Sequence, residues 1–226
     1  MAGYMYLGNK KVCPAILVGS QPEPPEYDSL IKMPNGLKEL DVDENYISIF
    51  SGNWSSITPV PAEANIKVLL DLNELEIVTG GSSSFWGGAP FQEFFDDGMY
   101  WTSIDIKAEN LKEAGVRTFN YFATKGYDVQ RDTNVFYNPI IRFPKLEKIG
   151  SYCFLYFVNS GITDIYLPKL KTSHSNGLSD MCTFADRQIT LHFASNQESL
   201  ISSLNGYPNF GSSYPVTILY DQPPTE

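Results

Sequence analysis

Apolar residues recur at a step of 24 residues in the second half of the chain. A Pro-Lys-Leu tripeptide begins at Pro144 and returns at Pro168, and similar apolar positions follow each copy. The aligned pairs are Leu146 with Leu170, Ile165 with Ile189, and Leu167 with Leu191. Because several anchors share one spacing, the pattern predicts internal repeats that stack on one another.

Within the clearest unit, apolar and polar residues alternate over a short stretch. Ile165 and Leu167 alternate with Asp164 and Tyr166, which predicts a strand with one apolar and one polar face. The preceding segment adds inward positions at Leu146, Ile149, Phe154, Phe157 and Ile162. One unit cannot bury these groups alone, whereas stacked units cover each other and pair their strands in parallel.

Earlier regions carry weaker copies, with insertions of roughly ten residues. Residues 111–115 resemble residues 146–150, and residues 102–106 resemble residues 163–167. The matching aromatic positions are Phe119 with Phe154 and Phe122 with Phe157, and a fainter copy holds Leu75, Val78, Phe91 and Phe94. We therefore expect irregular units before the clear one.

Composition and pattern together divide the chain into four segments. These are residues 1–20, a strand or arm; 21–36, a proline-rich linker; 37–193, the repeat region; and 194–226, a C-terminal cap. The cap has helical spacing after a predicted N-cap at Asn196, and a final strand from Val216 to Tyr220. A cap is expected because a terminal unit would otherwise expose its core and a strand edge.

The clear unit resembles a known repeat family. Residues 146–168 read LEKIGSYCFLYFVNSGITDIYLP. This is similar to the BspA-like leucine-rich repeat, which has a leucine, an isoleucine–glycine pair, a small residue before phenylalanine, and an isoleucine-rich strand ending in proline. The resemblance covers about residues 68–193. Ser173 and His174 depart from it, because they stand where the clear copy has Ile149 and Gly150.

The two ends of the chain carry resemblances of their own. Residues 191–221, LHFASNQESLISSLNGYPNFGSSYPVTILYD, resemble the C-terminal cap of such repeats in proteins of phages and prophages of gut bacteria. Residues 7–19, LGNKKVCPAILVG, resemble the start of small phage tail or virion proteins. Together the resemblances imply an α/β-type leucine-rich-repeat solenoid, with a parallel strand ladder, little helix, an N-terminal arm and a C-terminal cap.

The function that the resemblance implies is recognition rather than catalysis. We expect a non-enzymatic binding or structural module of a virion or tail, whose repeat face meets a host-surface protein or glycan, or neighbouring virion proteins. Residues 1–20 would attach it to other virion proteins, as a homo-oligomer or within a larger assembly. No cofactor or metal is implied. The alternatives are a polysaccharide hydrolase on the same solenoid and a purely architectural decoration protein.

Charge and cysteine content narrow the partners and the location. The net charge is −10, which argues against nucleic acid because acidic chains repel phosphate groups. Three cysteines, an odd number, argue against a disulfide framework. No apolar run approaches the roughly 18 residues of a membrane span, and the first residues lack a secretory-signal pattern. We therefore expect synthesis in the host cytoplasm and a location in the virion, or outside the cell after lysis.

The strand pattern predicts one candidate surface. If the apolar strand positions face the core, the residues between them form an outward row spaced about 4.8 Å apart. That row comprises Asp105, Arg142, Tyr166 and Thr190, with Asp164 and His192 flanking it on the same face. An acid, a guanidinium and an aromatic ring suit docking of a sugar or a protein. The alternative is an ordinary solvated sheet face.

An insertion supplies the second candidate surface. Residues 82–91 combine serine and glycine with Phe85, Trp86 and Phe91. Flexible loops with aromatic residues often carry recognition, although these rings could instead fill the core.

Catalytic and metal-binding patterns are weak in this sequence. Asp96 and Asp97 precede a glycine and favour a turn. Asp105, near Glu109, is the candidate for the hydrolase alternative, which would need a second acid across a groove at about 5–10 Å. The cysteines and histidines lack the close spacing of structural zinc ligands.

Overall fold

A computed structural model describes residues 5–7, 10–12, 16–18, 29–41, 46–47, 66–80, 91, 102–120, 122, 135–136, 140–158 and 162–223. This part of the chain is mostly strand, with predominantly parallel pairing and one short helix. The strands are β1 (Met5–Leu7), β2 (Lys10–Val12), β3 (Ile16–Val18), β4 (Ser29–Lys32), β5 (Glu39–Leu40), β6 (Tyr46–Ile47), β7 (Ile66–Asp71), β8 (Ile77–Gly80), β9 (Thr102–Lys107), β10 (Glu113–Val116), β11 (Val135–Phe136), β12 (Ile140–Arg142), β13 (Lys148–Ile149), β14 (Asp164–Leu167), β15 (Thr172–Ser173), β16 (Ile189–Ala194) and β17 (Val216–Gln222). The helix is α1 (Glu198–Ser202). The predicted parallel pairing and low helix content are therefore confirmed.

The strands form ladders that repeat along the chain. Two sheets contain the strands of six or seven residues together with shorter ones, in the orders β11-β9-β7-β4-β3 and β12-β14-β16-β17. A third ladder, β15-β13-β10-β8-β5, contains only strands of two to four residues, and β1, β2 and β6 form a small separate sheet. Pairing is antiparallel between β1 and β2 and between β3 and β4, and parallel elsewhere. A longer strand followed by a short one thus makes one repeat unit.

The same turn joins the two strands of each unit. A leucine N–H donates to the carbonyl three residues earlier, with N···O distances between 2.9 and 3.5 Å. The five leucines are Leu37, Leu75, Leu111, Leu146 and Leu170, and all are buried. After the turn, two consecutive N–H groups share one carbonyl of the preceding unit, as Glu147 and Lys148 do with Lys112. Leu37 marks an additional unit that the sequence pattern did not identify.

Phenylalanine rings fill the interior between the ladders. Phe119 stacks on Phe91 at 5.7 Å and on Phe154 at 5.2 Å between ring centroids. Phe122 stacks on Phe157 in the same way, at 5.6 Å. The predicted equivalences of Phe119 with Phe154 and of Phe122 with Phe157 are confirmed, and each pair joins successive units of the core.

The predicted step of 24 residues holds for one pair of longer strands and fails for the next. Ile141 lies opposite Ile165, at the expected step. Ile165, however, lies opposite Leu191 and not Ile189, so this step is 26 residues. The segment from Ser173 to Leu191 spans 191 − 173 = 18 positions, two more than the 165 − 149 = 16 positions of the preceding unit. Because strand side chains have a period of two, the shift keeps both Ile189 and Leu191 buried.

The predicted linker, residues 21–36, contains part of the first unit. β4 pairs in parallel with β7, and the adjacent Met33 is fully buried. Parallel pairing therefore begins before residue 37, where the repeat region was predicted to start. The predicted arm, residues 1–20, contains β3, which pairs with β4. The division into four domains otherwise stays a prediction.

The cap contains the predicted helix and final strand, but its N-cap differs from the prediction. Gln197, and not Asn196, is the N-cap of α1. Gln197 occupies the place of the unit leucine, since its N–H donates to the carbonyl of Ala194 three residues earlier. Its buried amide accepts a hydrogen bond from the Ala194 N–H at 2.7 Å and donates one to the Leu170 carbonyl. The side chain therefore closes the last turn of the repeat.

Phe119→Ala tests the phenylalanine core. The substitution leaves a cavity between Phe91 and Phe154, and we expect it to lower the free energy of unfolding by about 3–5 kcal/mol in urea titrations. Phe184→Ala is the matched control, because Phe184 is half-buried and its ring packs at 5.1 Å on Tyr156, outside this core. An equal loss of unfolding free energy in both variants would contradict the assignment of Phe119 to the phenylalanine core.

Candidate functional site on the outer face of the sheet

A row of outward side chains crosses the sheet β12-β14-β16-β17. Arg142, Tyr166, His192 and Leu219 lie opposite one another on four successive strands. Ile141, Ile165 and Leu191, the residues that precede the first three in sequence, are buried. The alternation therefore directs the row away from the core.

Three members of this row form a continuous stack. The Arg142 guanidinium carbon lies 4.0 Å from the centroid of the Tyr166 ring. The Tyr166 and His192 rings are 4.0 Å apart and nearly parallel, with an interplanar angle of 3°. Because Arg142 and His192 come from strands on opposite sides of β14, they cover the two faces of Tyr166. A ligand can therefore meet the edge of this ring but not its faces.

His192 lies between two carboxylates. Its Nε2 is 2.9 Å from Asp164 Oδ1, and its Nδ1 is 2.8 Å from Asp221 Oδ2. A neutral imidazole has one N–H, so the ring can donate to both carboxylates only as an imidazolium. Thr163 Oγ1 also donates to Asp164 Oδ2, at 2.7 Å. The cluster ties β14, β16 and the cap strand β17 together; we call it the His192 clasp.

The clasp stabilises the ionised form of both aspartates. Burial alone would raise the pKa of Asp164, but hydrogen bonds from His192 and Thr163, with the nearby charges of His192 and Arg142, lower that pKa below its usual value. The pKa of Asp221 is lowered mainly by a hydrogen bond from Gln222 Nε2, and His192 contributes further. Both carboxylates are therefore charged at neutral pH.

The structure brings together four of the six residues predicted for this face. Arg142, Asp164, Tyr166 and His192 are in direct contact. Thr190 lies opposite Asp164 and not in the row of Tyr166, because of the 26-residue step.

Asp105 was placed in this row by the sequence pattern, and that placement is wrong. It lies on β9, which pairs with β7 and β11 in the other sheet of longer strands. Its side chain is buried, and Oδ1 accepts a hydrogen bond from the N–H of Ile106 at 2.8 Å. Leu69, directly opposite on β7, is also buried, so this part of that sheet is covered. Asp105 is therefore not displayed to a ligand.

Of the three aromatic residues predicted to bind a partner through the insertion, the structure describes one. Phe91 is fully buried and stacks on Phe119, so its prediction as a partner-binding residue is wrong and it fills the core. Phe85 and Trp86 lie outside the described residues.

Sequence reasoning missed Asp221 and Leu219. Both belong to β17, far from Asp164 in the chain, and no repeat copy aligns with this strand. Alternation within the strand was the available signal: Val216, Ile218 and Tyr220 pack on the core, which leaves the residues between them outward.

The ladder of short strands presents a second surface of different character. Charges of alternating sign follow one another at Lys38, Glu76, Lys112, Glu147 and Lys171. Three of the contacts are salt bridges, including Lys112 Nζ to Glu76 Oε2 at 2.6 Å. A shallow groove of about 280 Å³ lies beside them, where Gly115 and Gly150 meet. A Cβ on Gly150 would lie 2.6 Å from the Gly115 carbonyl carbon, so this close backbone contact requires glycine.

Cys153 and Cys182 are buried free thiols, and burial raises the pKa of Cys182 to about 12; Cys13 lies outside the described residues. Within the described ranges, no group of three or more metal-ligating side chains is found. No helix in the part of the chain that the structure describes is long and apolar enough to cross a membrane.

Asp164→Asn tests the clasp through its pH dependence. A carboxylate whose pKa is lowered by folding adds stability above its unfolded pKa and loses it as pH falls through the folded value. We expect the variant to melt at a lower temperature than the wild type at neutral pH, with the difference shrinking below about pH 4. Differential scanning calorimetry across pH measures this.

The matched control is Asp186→Asn, whose carboxylate pairs with Arg187 on the exposed surface. It should show little change at any pH, since exposed ion pairs contribute little. A pH-independent difference for Asp164→Asn would contradict the clasp.

No family model, curated protein or solved structure gives a significant match to this chain.

Proposed function

We propose that the chain is a non-enzymatic binding module built on a leucine-rich-repeat solenoid, and that its ligand docks on the outer face of β12, β14 and β16. The solenoid is supported by the repeated leucine turn, by the parallel ladders and by the phenylalanine rings that join successive units. The function is supported above all by one observation, the stack of Arg142, Tyr166 and His192.

The stack favours binding because it holds an exposed guanidinium in a fixed plane. Stacking on Tyr166 removes much of the conformational freedom that a lone surface arginine would lose on binding. In the described part of the chain, no carboxylate forms a salt bridge with Arg142. Its N–H groups are thus available to carboxylate, hydroxyl or carbonyl oxygens of a ligand.

The short-strand surface is a weaker candidate. Its lysines and glutamates pair with one another, as Lys148 Nζ does with Glu113 Oε2 at 2.9 Å. A ligand would have to break these pairs before gaining its own contacts. At Arg142, on the face of β12, β14 and β16, a ligand would not first have to break a salt bridge.

The geometry and the resemblance to phage repeat proteins together support a proposal for the ligand class. Since both faces of Tyr166 are covered, a sugar ring cannot stack on it, and recognition must use the ring edge and the Arg142 donors. A host-surface glycan or protein rich in oxygen acceptors fits these donors. We further propose a virion-associated or tail-associated location, with the N-terminal residues attaching the module to its assembly.

Arg142→Ala and Tyr166→Ala test the binding face. The probes are envelope polysaccharide and outer-membrane protein from gut bacteria, immobilised on separate surfaces. We expect wild-type protein to bind one of them, and each variant to bind at least about tenfold more weakly, which is about 1.4 kcal/mol.

Lys112→Ala, beside the short-strand ladder, is the matched control and should bind like the wild type. Thermal melts verify that each variant is folded. Unchanged binding by both folded variants, or equal weakening by Lys112→Ala, would refute the proposal.

A further inference from the structure

Both ring nitrogens of His192 face carboxylate oxygens, so the His192 clasp depends on a single proton. Nε2 lies 2.9 Å from Asp164 Oδ1 on β14, and Nδ1 lies 2.8 Å from Asp221 Oδ2 on β17. The imidazolium donates to both oxygens, whereas a neutral ring has one N–H and one lone pair. Histidine is the side chain whose charge ordinarily changes near neutral pH. Loss of the proton therefore turns one of the two hydrogen bonds into a contact between two acceptors.

The charged and titratable groups that surround His192 in the described residues come from three strands. Asp164 of β14 and Asp221 of β17 lie on either side of it. Tyr166 of β14 covers one face of the ring, and Arg142 of β12 lies beyond Tyr166, 4.0 Å from the centroid of that ring. Only 8% of the His192 side chain is exposed, so water has little access to a nitrogen that loses its partner. The two carboxylates therefore determine how the cluster responds to a change of charge on His192.

The contact with Asp221 is the one that a neutral ring gives up at lower cost. Asp164 is 28% exposed and also accepts a hydrogen bond from Thr163 Oγ1, which holds it in place. Asp221 is 43% exposed and lies in the bulge of β17 at residues 220–221, where the pairing with β16 is irregular. Water can therefore solvate Asp221 more easily. The neutral ring then keeps its proton on Nε2, facing Asp164, and its Nδ1 lone pair faces Asp221.

We propose that His192 is a pH-sensitive switch that ties the cap strand β17 to the repeats only while its ring is protonated. The imidazolium links β14, β16 and β17. The neutral ring stays bonded to Asp164 and releases Asp221, because the Nδ1 lone pair and the carboxylate repel each other. The linked state holds one proton more than the released state, so the link weakens as pH rises above about 5, where both aspartates are ionised. The switch does not depend on the function proposed above.

Nitrogen-15 NMR of the full chain, from about pH 5 to about pH 9, measures the state of the ring directly. We expect both His192 nitrogens to carry protons at the low end of this range, and Nε2 alone to carry one at the high end. His174 is the internal comparison, since its Nδ1 accepts a hydrogen bond from the Asn176 N–H. The spectrum of His174→Gln assigns the two rings. A His192 ring that stays in one state throughout, or a neutral ring protonated on Nδ1, overturns the proposal.

Hydrogen exchange of the β17 amides, expressed as protection factors at each pH, tests the release of the cap strand. We expect protection to fall about tenfold as His192 loses its proton, because a hydrogen bond between charged groups is lost. Asp221→Asn should abolish this fall, since its amide can donate to a neutral Nδ1 and accept from a protonated one. His174→Gln is the matched control and should behave like the wild type. Protection that does not follow the protonation of His192, or a fall that persists in Asp221→Asn, overturns the proposal.

Discussion

The buried leucine turn is the constraint on which the rest of the structure depends. In each unit the leucine N–H is satisfied three residues back, while its side chain enters the core. The turn therefore meets a hydrogen-bonding and a hydrophobic requirement with one residue. Because it sits between the longer and the shorter strand, it fixes their separation, and the phenylalanine rings fill the space so defined.

The sequence was informative wherever side chains repeat and less so where backbone length changes. Aligning Phe119 with Phe154 correctly identified a pair of stacked rings. The same alignment misplaced Ile189 by two positions, since a two-residue shift exchanges one inward residue for another and leaves the apolar pattern intact. The register of β16 is set by the longer connection after β15, which a fixed period cannot represent.

The candidate site shows the same limits. Arg142 and Tyr166 were paired correctly because their strands keep the regular step. Asp105 was misplaced because two different sheets contain the longer strands, and alternation within a strand does not reveal which sheet it joins. Asp221 was missed because it comes from the cap, where no repeat alignment extends. Long-range contacts between a repeat and its cap are invisible to periodicity.

Gln197 shows that the backbone of the leucine turn can be kept while its side chain becomes polar. Its N–H makes the same hydrogen bond as the leucine N–H of each unit. Its side-chain amide bonds to the Ala194 N–H and to the Leu170 carbonyl, so no apolar side chain enters the core at this turn. Leucine at this position would keep the turn but could form neither side-chain hydrogen bond. The Ala194 N–H and the Leu170 carbonyl, both from buried residues, would then each lose a partner.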